Sequence, residues 1–208
     1  MEHFMRALLL ATTNRHKIEE LRAMFADLPW QLFSLRDLHI DMDVEETGRT
    51  FQENSELKAL AYAKAAQMLA LAEDSGLEID ALGGAPGVYS ARFLGVNTPY
   101  EQRFEYILAQ MRNVPPENRT ARFRCVITLA EPSGYHRSVE GVVEGMIADA
   151  PRGNNGFGYD PIFFVPEFGM TTAEMSPEQK NMISHRGRAV RKARALLETW
   201  PSSLPSHN

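Results

Sequence analysis

Several things that would classify a chain quickly are scarce in this 208-residue sequence. There is one cysteine, Cys125, so no internal disulfide can form, and no Cys/His group has zinc-site spacing. No basic excess exists: 22 Lys and Arg stand against 27 Asp and Glu, a formal charge of −5. Proteins that grip duplex nucleic acid do so by neutralising phosphates, so such a partner is not expected, although a local cluster of cations for one phosphorylated metabolite remains compatible. Long apolar runs are missing as well. Ala7–Ala11 is short and has Glu2 ahead of it, unlike a signal peptide, and no stretch approaches the ~20 residues of a membrane span. Internal repeats and a Walker phosphate-loop pattern are also absent. The expectation is a soluble protein of a reducing compartment, the cytoplasm, with no membrane partner. With 44% hydrophobic and 24% charged residues, the chain sits near the globular average, which excludes collagen, coiled coil and wholesale disorder.

What is present reads as mixed helices and strands. Leu8–Ala11 is a buried strand that stops at polar Thr12-Thr13-Asn14. From Lys17 the apolar residues Ile18, Leu21, Met24 and Phe25 share one helical face until Pro29, and Trp30–Leu35 is a second strand. A carboxylate-rich loop, Asp41–Thr50, precedes an alanine-rich helix from Phe51 to about Leu71, after which Leu77–Leu82 reads as a strand. Gly83–Gly87 is a turn cluster, and Tyr100–Met111 is a helix closed by Pro115-Pro116. Ala121–Ala130 and Ser138–Ala148 form a hairpin through Pro132-Ser133-Gly134. The glycine-rich loop Gly153–Pro161, a short strand Ile162–Val165 and a basic helix Ser184–Trp200 complete the chain, and residues 201–208 are a flexible tail. Without strict βα alternation, the pattern predicts an α/β fold with a mixed sheet rather than a doubly wound one.

Four polar segments carry groups that suit one ligand class. Thr12-Thr13-Asn14-Arg15-His16-Lys17 places hydroxyls, an amide and cations where a helix begins, which suits a phosphate. The same residues also fit an ordinary N-cap with exposed bases. Glu73-Asp74-Ser75-Gly76, with Glu45-Glu46 upstream, offers carboxylates for Mg²⁺ or for activating a water, and equally fits a common turn. Gly153–Pro161 sets Phe157, Gly158, Tyr159 and Asp160 among glycines, which fits a ligand loop with stacking faces, or aromatics bound for the core. Lys180 with Ser184-His185-Arg186 supplies donors at a loop-to-helix junction, where Ser184 also fits an N-cap. Together, hydroxyl, cation, carboxylate and aromatic groups describe a Mg-nucleotide site.

These motifs resemble those of the inosine triphosphate pyrophosphatase family, hydrolases of deaminated purine nucleoside triphosphates. The matching stretches are Ala11-Thr12-Thr13-Asn14 with Lys17, Thr50–Asn54 with Lys58, Asp74–Leu77, Leu82–Arg92, Gly156–Phe163 and Ser184–Arg186. They cover nearly the whole chain in order. The resemblance implies a homodimer of two-lobed α/β subunits, residues 1–200, with a nucleotide cleft between the lobes. It also implies phosphate contacts at Thr12, Thr13, Asn14, Lys17 and Lys58, with Arg15 and His16 in the same loop. Asp74 becomes proton acceptor and Mg²⁺ ligand, and Ser75 a substrate contact. A second metal ligand comes from the acidic loop, where Glu46 fits the spacing to Lys58 better and Glu45 is the alternative. Phe157, Gly158, Tyr159, Asp160, Lys180, His185 and Arg186 would hold base and sugar. Two departures stand out: Thr13 where glycine is frequent, and Glu73 where many bacterial relatives have aspartate. The implied reaction is hydrolysis of ITP, dITP or XTP to the monophosphate and pyrophosphate. A nucleotide-binding regulator without turnover is the rival, and the intact set of Asp74, Lys17 and Arg186 argues against it.

Overall fold

Seven strands form one mixed sheet in the order β2-β1-β3-β4-β5-β6-β7, in a computed structural model that describes residues 6–201. The strands are β1 (Arg6–Leu10), β2 (Trp30–Ser34), β3 (Ala70–Ile79), β4 (Thr120–Ala130), β5 (His136–Ile147), β6 (Phe163–Val165) and β7 (Met170–Thr171). The helices are α1 (Arg15–Phe25), α2 (Phe51–Ala66), α3 (Tyr100–Met111), α4 (Pro177–Ile183) and α5 (His185–Glu198). β1 pairs in parallel with β2 and β3, and every pairing from β3 onward is antiparallel. The mixed α/β sheet read from the sequence is therefore the observed fold. The expected tail lies, from residue 202 on, outside the described residues.

Local chemistry fixes where the helices start. Asn14 caps α1 by accepting from the N–H groups of His16 and Lys17, and Thr50 with Glu53 forms a reciprocal capping box on α2. The end of α2 differs from the expectation. Gln67 adopts a left-handed conformation (φ 52°) and stops the helix at Ala66, so the apolar run expected to finish the helix opens β3. β3 then runs unbroken through Glu73-Asp74-Ser75-Gly76. The predicted turn is a strand interior, and the expected strand Leu77–Leu82 is the end of β3 plus a 3₁₀ turn at Asp80–Leu82. Polar side chains hid the strand, because their partners come from other elements. Thr13 is not among the positive-φ residues, so the absence of glycine there carries no backbone strain.

Unequal strand lengths make room for a site. β4 pairs with β3 along its whole length, whereas β1 pairs only at Leu9↔Ala70 and Leu10↔Leu71. Beyond Leu71 the β1-side edge of β3 is left to loops; Ser90 Oγ accepts the Leu77 N–H there at 2.9 Å. Alternation along β3 sends Leu71 into an apolar cluster under α1 and α5, and Ala70 and Ala72 into one under α2. A third cluster gathers Leu77 and Ile79 with α3, Phe123 and Phe163. Arg103 of α3 is 2% exposed and forks onto the carbonyls of Ser90, Ala91 and Gly95, fixing the turn Gly87–Arg92 beside that open edge.

α5 crosses the sheet at Gly141 of β5, where an added Cβ would collide with the backbone of His185 and Ala189. That close approach delivers the N-terminus of α5 to β3. Gly141→Ala should lower Tm by about 2–10 °C in scanning calorimetry, the scale of a ~1–3 kcal/mol overpacking defect in a domain of this size. An unchanged Tm would show that α5 does not need this contact.

Candidate active site

The open edge of β3 forms one wall of a cleft of about 620 Å³, lined from Ala11–Asn14, Lys17, Asp43–Glu46, Lys58, Asp74–Gly76, Phe157–Asp160, Lys180, His185 and Arg186. All four polar segments thus converge on one cavity. Because β3 is a strand, neighbouring side chains point to opposite faces. Asp74 meets α2, while Glu73 and Ser75 meet α1 and α5.

On the α2 side, the buried Asn54 donates from Nδ2 to Asp74 Oδ2 at 3.0 Å and accepts the Gly48 N–H at 2.8 Å. One amide thereby ties the Asp74 carboxylate to the acidic loop. Lys58 Nζ lies 2.5 Å from Glu46 Oε1 and 3.6 Å from Asp74 Oδ1, and Arg92 donates to Glu46 Oε2 at 3.0 Å. Burial pushes the Asp74 carboxyl above its usual 3.8, with Lys58 pulling it back and Glu46 adding to the rise. Burial also opposes ionisation of Glu46, but Lys58 and Arg92 outweigh it and hold that group below 4.5.

The donor chemistry here fits a divalent cation. The Lys58 ammonium already stands where the two carboxylates converge. Mg²⁺ commonly takes only one or two carboxylates and completes its shell with phosphate oxygens and water. Asp74 and Glu46 are the pair in place, and Glu45 lines the same cleft. Among the described residues no cluster of three or more metal-type side chains occurs, so an all-protein cage is not the arrangement.

On the other face, Glu73 is 1% exposed and anchors two cations. It accepts from Arg186 Nε at 2.8 Å and Nη2 at 2.9 Å, from Lys17 Nζ at 3.0 Å and from Cys125 Sγ at 3.2 Å. Burial alone would raise its pKa; Arg186 and Lys17 hold it well below 4.5. The network continues through Glu20 of α1, which binds Arg186 Nη1 at 2.6 Å and Lys180 Nζ at 2.9 Å, and through Asp160 Oδ2, 2.6 Å from Lys180. Asp160 also accepts the Phe157 N–H, so the same network shapes the glycine loop. His185 stacks on Phe123 at 4.7 Å, and burial, then Arg186 and Lys180, push its pKa well below 6.5, leaving the imidazole neutral.

Two residues of the first loop differ from expectation. Arg15, at the first position of α1, turns its 89%-exposed side chain away from the cleft and pairs with Glu19 one turn on. His16 does not line the cleft but stacks on Phe157. Asn14 spends its side-chain oxygen on capping α1. Lys180 and Arg186 do reach the cleft, yet most of their donors are engaged by carboxylates. Of the five guanidinium N–H groups, Arg186 uses four, on Glu73, Ser75 and Glu20. The sequence reading missed Asn54, Glu20 and Arg92. Asn54 and Arg92 sat inside the quoted motifs, whereas Glu20 carried no signal beyond its polar position on α1.

Glu73 supplies a test of this geometry. Glu73→Gln should lower stability by about 3–5 kcal/mol near pH 7, the cost of stranding a buried charge, read by urea unfolding. A depressed carboxyl pKa stabilises the fold above its unfolded value near 4.5 and loses that contribution as pH falls through the lower folded value. The gap between wild type and variant should therefore narrow only below about pH 4.5. A gap independent of pH would show that Glu73 is not the charged hub.

Comparison with known proteins identifies the family. A dITP/XTP pyrophosphatase of Thermus thermophilus is 51% identical over 197 residues, covering 95% of this chain and 93% of that protein. A dITP/XTP pyrophosphatase of Desulforamulus reducens is 48% identical over 190 residues, covering 91% and 94%. The solved HAM1 protein of Coxiella burnetii superposes with a TM-score of 0.86 at 42% identity, covering 94% of this chain and all of that one. Residues 8–196 match the Ham1 family over nearly the whole fold, cleft included, and the chain belongs to that family.

Proposed function

We propose that this protein hydrolyses deaminated purine nucleoside triphosphates, namely ITP, dITP and XTP, to the monophosphate and pyrophosphate. The observation that carries this reading is the convergence of the Asp74–Glu46 carboxylates, Lys17, Lys58 and the Phe157 ring on one cleft. Relatives named dITP/XTP pyrophosphatase at 51% and 48% identity support the substrate class.

Asp74 accepts the proton of the water that attacks the α-phosphorus. Asn54 holds one carboxylate oxygen and leaves the other toward Lys58. Lys17 and Lys58 draw charge from the departing pyrophosphate; Thr12, Thr13 and the start of α1 cradle the phosphates. Asp74 and Glu46 would hold Mg²⁺, which would neutralise phosphate charge there. The cleft supports this requirement. Its lining holds five cations (Lys17, Lys58, Arg92, Lys180, Arg186) and five carboxylates (Asp43, Glu45, Glu46, Asp74, Asp160), so no surplus of positive charge awaits a triphosphate. Phe157 is the platform for the base. The N–H groups left over on Lys180 and Arg186 donate to a 6-oxo acceptor, and adenine's 6-amino group would leave them unpaired at a cost of about 1–3 kcal/mol.

A homodimer is part of the same proposal. A second depression of about 990 Å³, rimmed by Glu78, Gly83–Tyr89, Arg124 and His136–Glu140, presents both charge signs and the exposed Tyr89, a surface able to meet its own copy. Sedimentation velocity should give one species near twice 23.4 kDa, and a monomer at micromolar concentration would remove this part.

The purified protein should release pyrophosphate from ITP, dITP and XTP far faster than from ATP, and not in excess EDTA. In ¹⁸O-water the label should enter the monophosphate. Asp74→Asn should cut kcat by at least ~10²-fold without unfolding the protein. Equal rates on ATP and ITP would refute the base reading, label in pyrophosphate would refute attack at the α-phosphorus, and a fully active folded Asp74→Asn variant would refute the assignment of the base.

A further inference from the structure

His16 is the second residue of α1 and its side chain is exposed, yet its imidazole lies nearly parallel to the Phe157 ring, with centroids 5.2 Å apart and 12° between planes. Phe157 lines the cleft, and Lys180 Nζ and Arg186 Cζ stand 5.0 and 5.3 Å from its centroid. The imidazole therefore covers part of the one ring proposed to receive a purine, while contributing nothing to the cleft wall itself.

A purine cannot slip between these two rings as they stand. Each stacked layer needs roughly 3.5 Å, so a sandwich would require α1 to lift away from the glycine-rich loop. The helix is held down at the next residue, where Lys17 is tied to Glu73 at 3.0 Å, and one turn on, where Glu20 is tied to Lys180 at 2.9 Å and to Arg186 at 2.6 Å. The imidazole itself is held by little. Among the described residues it makes no hydrogen bond or ion pair, and rotation about χ1 would carry it into solvent. Displacing a surface side chain costs far less than breaking buried ion pairs.

We propose that the His16 imidazole is a placeholder for the purine base: it covers the Phe157 ring in the empty cleft and must leave when the nucleotide binds. This rests on the reading of Phe157 as the base platform and goes beyond it by naming a competitor within the chain. His16 then sets nucleotide affinity and not the phosphate chemistry, in contrast to the phosphate contact implied by its place in the loop. It also keeps the ring covered until a ligand with a comparable aromatic face arrives.

The test measures IMP binding by calorimetry alongside KM and kcat for ITP. A stack of this kind is worth about 2- to 10-fold in a binding constant, so His16→Ala should tighten IMP and lower the ITP KM by that factor, with kcat moving less than KM. His16→Phe, which stacks without being able to hydrogen-bond, should shift both in the opposite direction. Weaker IMP binding by His16→Ala would make His16 a ligand contact, and unchanged binding would make the stack incidental; either result overturns the proposal. Phe157→Ala, measured in parallel, separates the two layers of inference. If it leaves IMP affinity at the wild-type value, the platform reading itself fails. If it weakens IMP while His16→Ala does not tighten it, the placeholder alone falls.

Discussion

A carboxylate that is 1% exposed stays ionised only where cations reach it, and Glu73 is reached by Arg186 through two parallel hydrogen bonds and by Lys17 through a third contact. Arg186 lies on α5, Lys17 on α1 and Glu73 itself on β3, three elements far apart in the chain. An uncompensated carboxylate at this depth would be costly enough to open the structure, so the three elements are held to one arrangement. Gly141 permits that arrangement by letting the backbone of His185 come close to β5, and Glu20 and Asp160 extend it to Lys180 and the glycine-rich loop. On this side of the cleft the buried charges satisfy one another.

The strand geometry of β3 explains how a structural hub and a reactive group can be adjacent in sequence. Glu73 faces α1 and α5, and its acidity is enhanced by cations. Asp74 faces α2, and burial together with Glu46 makes it more basic. One residue of offset thus separates two carboxylates with opposite shifts, the pattern expected where one holds structure and the other handles protons. Asp74 lines the cleft while Glu73 lies buried behind it, and the cleft is open there because β1 stops pairing at Leu71 and leaves the edge of β3 without a strand.

Much of this was legible in the residues. The hairpin of β4 and β5, the helix Tyr100–Met111 and the carboxylate-rich loop follow from local pattern and turn chemistry, and the structure has them within a residue or two. The convergence of four polar segments could be inferred from their shared chemistry. What could not be read were features set by tertiary partners. Glu73-Asp74-Ser75-Gly76 looks like a turn because its polar side chains are satisfied by α1, α2 and α5, none of which is nearby in sequence. The left-handed Gln67 that ends α2 has no glycine to announce it. Glu20 resembles any helix-surface glutamate until the lower part of the cleft is folded against it, and Arg15, although inside the phosphate-loop motif, is turned outward by the helical register alone.

The proposed base selectivity rests on how few donors the internal network leaves free. Lys180 has two carboxylate partners and three N–H groups, and Arg186 has one N–H beyond those bound to Glu73, Ser75 and Glu20. Cations free to turn would accept acceptors in many positions and read a base poorly. Held by Glu20, Glu73 and Asp160, they present a small number of N–H groups in fixed directions, which a 6-oxo purine can satisfy and a 6-amino purine cannot. The same carboxylates cancel the positive charge that would otherwise attract any polyanion, so phosphate alone gains little by entering. On the proposed reading, affinity comes jointly from a metal-bound triphosphate and a base with a 6-oxo acceptor, a requirement that separates the deaminated purines from adenine.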